Sequence, residues 1–141
     1  MREIPITRRE FQRLADLRAE EAGVLVRNRK QQGAYYLAGY AVECALKACI
    51  ARATKRYEFP PKPEYVRKLY VHDLDKLLQL AGIDLQLEND MRTNTALANN
   101  WNVVKVWDDK TRYVASGLKG RDMYQALIGP DGVLTWIKQR W

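Results

Sequence analysis

A single histidine and two cysteines among 141 residues leave few of the usual catalytic and metal-binding sets available. Cys44 and Cys49 lie five apart in one apolar stretch. That offset suits neither a disulfide nor a zinc knuckle, so both read as small buried hydrophobes in a reducing compartment. No Walker A loop, dinucleotide-binding glycine pattern or Ser–His–Asp order occurs, so neither a metal nor a cofactor is expected. The uncharged apolar run Gly33–Val42 is about half the roughly 20 residues that span a bilayer, and no membrane is expected as a partner. No basic N-terminal segment leads into an apolar run, which makes the cytoplasm the expected location. Alternating polarity between hairpin turns is missing too, and with it any strand signal. There is no internal repeat and no low-complexity segment.

What the chain does have is a core. At 47 % hydrophobic and 29 % charged it reads as one globular domain, residues 1–141. The net charge of +7 favours a polyanionic partner such as nucleic acid, a nucleotide or an acidic protein surface. That excess is spread along the chain, with no block of five or six like charges.

The sequence is organised around Gly33–Ala53, GAYYLAGYAVECALKACIARA, in which Glu43 and Lys47 are the only charges before Arg52. A helix apolar on every side must be enclosed, so this one reads as the centre of a helical bundle. Glu43 and Lys47 stand at i and i+4, acid first, the favourable order for a helical pair.

Before it, Met1–Pro5 reads as an extended arm. Thr7–Glu10 matches a capping box that opens a helix to about Val26, with Phe11, Leu14, Leu17, Ala22 and Leu25 inward. Arg27–Gly33 reads as a basic turn short enough to make the first two helices an antiparallel hairpin. After it, Pro60, Pro61 and Pro63 make Thr54–Pro63 the main loop, followed by a short helical turn at Glu64–Tyr70. Asp73 caps a helix bearing Leu74, Leu77, Leu78 and Ala81, which Gly82 ends. From Asp84, Leu87, Met91, Ala98, Trp101 and Val104 share one helical face, with a bend or break expected within Thr93–Asn102. Asp108 and Asp109 read as a cap before Thr111–Ser116, and Arg121–Ile128 as a helix. Pro130 then opens a last helix to Trp141, with Val133, Leu134 and Ile137 inward. The expected fold is all-α, an up-and-down bundle of five or six helices.

Tyr35-Tyr36-Leu37-Ala38-Gly39-Tyr40-Ala41-Val42-Glu43-Cys44-Ala45-Leu46-Lys47-Ala48, followed by His72-Asp73-Leu74 and Leu77-Leu78, resembles the HEPN family. These are small helical domains named for nucleotide binding in higher eukaryotes and prokaryotes. Glu43-x3-Lys47 matches the E-x3-K/R motif of the family's second helix, and Arg112-Tyr113 is similar to an RY pair late in its bundle. The resemblance covers most of the chain and implies a HEPN-like bundle acting as a homodimer. It implies one of two activities. One is a nucleotide- or RNA-binding module partnered with a minimal nucleotidyltransferase in a toxin–antitoxin or defence system. The other is a metal-independent endoribonuclease toxin, whose signature is R-x4-6-H on a late helix. This chain departs from that signature, because no histidine follows Arg112. Arg67-x4-His72 satisfies it literally, but ahead of the Asp73-capped helix and in a chain where arginine is common enough for chance matches.

Cleaving RNA without a metal needs a proton acceptor for the 2′-hydroxyl, a donor for the leaving oxygen and a cation for the phosphorane. Histidine suits the first two and arginine the third. His72, Arg67 and Arg112 are therefore the catalytic candidates, with Glu43, Lys47, Tyr40 and Tyr113 as ligand-binding or supporting residues. Each has a plainer reading. Glu43 and Lys47 can be a semi-buried ion pair, His72 a structural residue outside a helix, and Arg112 an ion-pair partner of Glu43 at the edge of the core. The tyrosines and tryptophans can stack bases or fill the core. Whether the chain is an enzyme stays open at this level.

Overall fold

The computed structural model describes residues 7–53, 67 and 70–141. The arm expected at 1–5, the proline loop at 54–63 and most of the turn at 64–70 lie outside the described residues. Those described form an all-α bundle of seven α-helices and one 3-10 helix, with no strand. No helix among them is long and apolar enough to cross a membrane.

Helix α1 (Arg8–Arg27) starts where the Thr7 hydroxyl accepts from the Glu10 amide at 3.2 Å, and it buries Phe11, Ala15 and Ala22. Helix α2 (Gln31–Ala53) starts two residues earlier than the glycine signal suggests. Arg29 takes a left-handed φ of 60°, and the Lys30 amide donates to the Leu25 carbonyl at 2.8 Å. The turn is thereby complete by Lys30, and Gly33 falls inside the helix. A link this short sends α2 back along α1 as the expected hairpin.

Helix α2 buries every residue from Ala41 to Ile50. Val42, Leu46 and Ile50 are each at most 2 % exposed, and each such burial stabilises the fold by roughly 1.5–3 kcal/mol. The other elements pack around it. Helix α3 (Leu74–Leu80) is capped by Asp73, which accepts from the Lys76 amide at 3.0 Å; Leu74, Leu77 and Leu78 face inward. Gly82, at φ 74°, ends the run with a conformation few other residues adopt.

The face that begins at Asp84 belongs to two helices, α4 (Asp84–Thr93) and α5 (Thr95–Val104). The break falls at Asn94, whose side-chain oxygen accepts from the Leu97 amide at 3.0 Å while its nitrogen donates to Asp131 at 2.9 Å. This break helps take the helix count above the five or six expected. The turn expected at 111–116 is a 3-10 helix at Asp109–Tyr113, begun by Asp108 accepting from the Lys110 amide at 2.7 Å.

Helix α6 (Gly120–Leu127) follows, then α7 (Val133–Lys138). Pro130 does not open α7. The Gly132 amide donates to the Gly129 carbonyl, placing Pro130 within a tight turn, and the helix stops at Lys138 short of Trp141. The end of the chain folds onto its beginning: Arg8 and Gln12 both donate to the Trp141 carbonyl, and Lys138 pairs with Asp16.

Candidate functional site

Glu43 and Lys47 are the two buried charges of the described core, at 2 % and 5 % exposure. The Lys47 ammonium donates to one Glu43 oxygen at 3.1 Å. The other oxygen lies 2.9 Å from Nδ1 of His72, a side chain 47 % exposed. Placement follows from the α3 cap: Asp73 fixes the helix start, the leucines of α3 dock on α2, and His72 is left leaning against Glu43. A carboxylate paired with an ammonium only accepts, so Nδ1 of His72 carries the proton. Nε2 is then the nitrogen left for a ligand, as acceptor on the neutral ring and as donor on the charged one.

Tyr36, Tyr40, Glu43 and Lys47 follow one another at i, i+4, i+7 and i+11, one stripe along α2. Tyr36 and Tyr40 stack at 6.1 Å, and the Trp107 ring lies 6.0 Å from Tyr36. Trp107 lies against Gly39, where any Cβ would collide with its pyrrole ring. The indole is 3 % exposed, and its N–H finds no acceptor among the described residues. An orphaned buried donor of this kind costs roughly 1–3 kcal/mol.

The 3-10 helix brings Arg112 and Tyr113 to the same end of the stripe. The Arg112 guanidinium sits 4.9 Å over the Tyr113 ring, and the Tyr113 and Tyr36 side chains beside it, in that order, raise its pKa. Tyr113 is 75 % exposed. Burial, reinforced by Cys44 and Glu43, pushes the Tyr40 hydroxyl up to about 12. Burial likewise pushes the Cys44 thiol up to about 12 and that of Cys49 to about 11. Both cysteines are free, buried and protonated at neutral pH.

The fold thus unites Glu43, Lys47 and His72, and joins Arg112 and Tyr113 to Tyr40 through Tyr36. It replaces one expected contact: Glu43 takes His72 as its partner, while Arg112 engages the tyrosines. Arg67 is exposed, and no ion pair or hydrogen bond among the described residues joins it to His72. Trp101 and Trp136 are buried with Trp107, which reserves three of the four tryptophans for the core. No spacing in the sequence links Trp107 to Gly39. A glycine inside a strongly helical run was the available signal, since it marks a close approach.

Beside this stripe lies a cleft of about 220 Å³ between the His72–Asp73 segment and Lys105–Asp109. The Asp108 carboxyl is held below the usual carboxylate range, chiefly by the Lys110 amide and then by the Asp109 side chain, with His72 a smaller contributor. A larger cleft of about 360 Å³ lies at the end of α2 around Arg52 and Arg140. Arg140 is already engaged there, donating to Gln86, the Trp136 carbonyl and Asp90, with its guanidinium 3.7 Å over the Trp136 ring. Among the described residues no group of three His, Cys, Asp or Glu side chains is placed to hold a metal ion. Compared with protein-family models, curated proteins and solved structures, the chain has no significant match.

Proposed function

We propose that the chain is a HEPN-like nucleotide- or RNA-binding module working as a homodimer, with a minimal nucleotidyltransferase as partner protein in a toxin–antitoxin or defence system. One observation carries this reading: the exposed Arg112 guanidinium rests over the exposed Tyr113 ring, near Tyr36 on α2, while His72 faces outward from Glu43 on the same helix. A guanidinium fork engages phosphate oxygens, and a neighbouring exposed ring offers a stacking surface for a base. The Glu43-x3-Lys47 and HDL resemblance and the net charge of +7 support it.

The Glu43–His72 contact favours a second reading, a metal-independent endoribonuclease. A buried carboxylate that holds Nδ1 and leaves Nε2 free is how a histidine is oriented for proton transfer. Incubating the purified protein with mixed RNA in EDTA separates the two, alongside folded His72→Ala and Arg112→Ala variants. The binding reading expects RNA or nucleotide retained on the wild type, weakened by Arg112→Ala, with the RNA intact. Cleavage in EDTA that both variants abolish overturns it in favour of the ribonuclease. Neither binding nor cleavage overturns both. Sedimentation at micromolar concentration tests the homodimer, and a 16.4 kDa species alone would refute it.

A further inference from the structure

Positive charge that is scattered in the sequence is gathered by the fold. Residues 27–32 and 112–122 hold six cations, Arg27, Arg29, Lys30, Arg112, Lys119 and Arg121, against one carboxylate, Asp122. These two short segments thus carry five of the chain's seven net charges. Specific contacts bring them together. The Gln32 side chain accepts from the Leu118 amide at 2.6 Å, and the Gln31 side chain accepts from the Arg121 amide at 2.9 Å. Gly120, between Lys119 and Arg121, lies so close to the Gln31 carbonyl that a Cβ would collide with it. Lys119 and Arg121 are therefore held beside the Arg27–Lys30 turn, which leads directly into Gln31. Gln32 and Tyr36 share one face of α2, a turn apart, and Arg112 stands beside Tyr36. The segment from Arg112 to Leu118 consequently follows that face toward the turn. All six cations are exposed, and none has an ion pair among the described residues. Arg18, Lys47, Lys138 and Arg140, by contrast, each have a carboxylate.

We propose that this surface is the track of a single-stranded RNA, whose backbone runs from Arg112 past Lys119 and Arg121 to the Arg27–Lys30 turn. The proposal rests on the nucleotide- or RNA-binding reading above and names its ligand, an oligonucleotide rather than a mononucleotide. From the level of Tyr36 to Lys30 is roughly 9 Å along the α2 axis, a span that suits successive phosphates of one strand. Cations without carboxylate partners are free to replace the counterions condensed on those phosphates, and the release of counterions drives binding. Strandedness follows from Tyr113, whose ring is 75 % exposed beside Arg112. It offers a face to an unstacked base, which a duplex does not present. An acidic protein would meet the same cations but brings no base for Tyr113.

The test follows the fluorescence anisotropy of a labelled single-stranded RNA of about 12 nucleotides as the whole chain is added at several salt concentrations. Unlabelled RNA, an RNA duplex of the same length, adenosine monophosphate and polyglutamate serve as competitors. A quadruple variant, Arg29→Gln, Lys30→Gln, Lys119→Gln and Arg121→Gln, strips the far part of the track and leaves Arg112, Tyr113, Gln31 and Gln32 in place. These four side chains are exposed, so its melting temperature should match the wild type. Its affinity for the single strand should fall tenfold or more at low salt. The slope of log K against log salt should become shallower by about 3, four phosphate contacts at roughly 0.7 each. Unlabelled single strand should compete best. Unchanged affinity and slope in the quadruple variant overturn the proposal, as does any other competitor that matches the single strand. If Arg112→Ala still weakens RNA binding in that case, the track alone has failed; if the wild type retains no RNA, the reading of the site has failed with it.

Discussion

Glu43 divides its two oxygens between Lys47 at 3.1 Å, on its own helix, and His72 at 2.9 Å, from the far side of the α2–α3 connection. The two partners are unequal. Lys47 is buried with Glu43, whereas His72 is 47 % exposed and has water as an alternative.

Glu43→Ala leaves a buried ammonium without its carboxylate and is expected to cost about 3–5 kcal/mol. His72→Ala removes a half-exposed contact while Lys47 keeps its partner, and should cost no more than about 1 kcal/mol. Urea unfolding followed by circular dichroism measures both. Equal losses for the two variants would contradict this ranking.

Gly39 and Trp107 are coupled by shape. Gly39→Ala drives a methyl group into the indole and is expected to lose about 1–3 kcal/mol. Trp107→Ala loses about 3–5 kcal/mol through the cavity it leaves. The double variant should lose clearly less than the sum, since the alanine methyl then has room. Strict additivity in a double-mutant cycle would show that the ring does not rest on Gly39.

Alkaline pH should unfold the protein through its thiols. An unfolded cysteine gives up its proton near the ordinary value of 9, while folded Cys44 and Cys49 hold theirs to about 12 and about 11 because both are buried. Between those values the unfolded state binds fewer protons, so stability is full below pH 9 and falls as pH rises. Each thiol contributes a slope of up to about 1.4 kcal/mol per pH unit. Tyr40, pushed up to about 12, acts in the same direction. Denaturant midpoints at successive pH values measure the slope. At pH 8 neither cysteine should react with a thiol reagent until the protein is unfolded.

Asn94→Ala should cost about 1–2 kcal/mol, since it removes both the α5 cap at Leu97 and the bond to Asp131. Thermal melting detects a loss of this size. An unchanged melting temperature would show that the break between α4 and α5 holds without its asparagine.

The elements legible in the sequence are those whose causes are local or one-sided. Helix α2 could be read because its residues are apolar all round, and Thr7 and Asp73 because a cap and its amide lie within one turn. The α4–α5 break was legible as a weakness, but its position at Asn94 depends partly on Asp131, 37 residues away. Pro130 misled for the converse reason: proline suits a first helical turn and a tight turn equally, and the Gly129–Gly132 contact decides between them. In the candidate site, the Glu43–Lys47 pair follows from its i, i+4 spacing, but the partner of Glu43 from outside the helix does not. Glu43 meets His72 because α3 docks on α2, and Arg112 is drawn to Tyr36 because Trp107 seats the 3-10 helix over Gly39. Neither relation has a period or a spacing in the sequence.

The clamp of Arg8 and Gln12 on the Trp141 carbonyl joins positions up to 133 residues apart. Such a contact forms only after the intervening chain has been gathered, so its closure comes late in folding and its release early in unfolding. The first turn of α1 and the segment after α7 should therefore open as one cooperative unit. Backbone amides there would exchange with solvent together, ahead of those in α2, and the two ends of the bundle would lose protection as a single event.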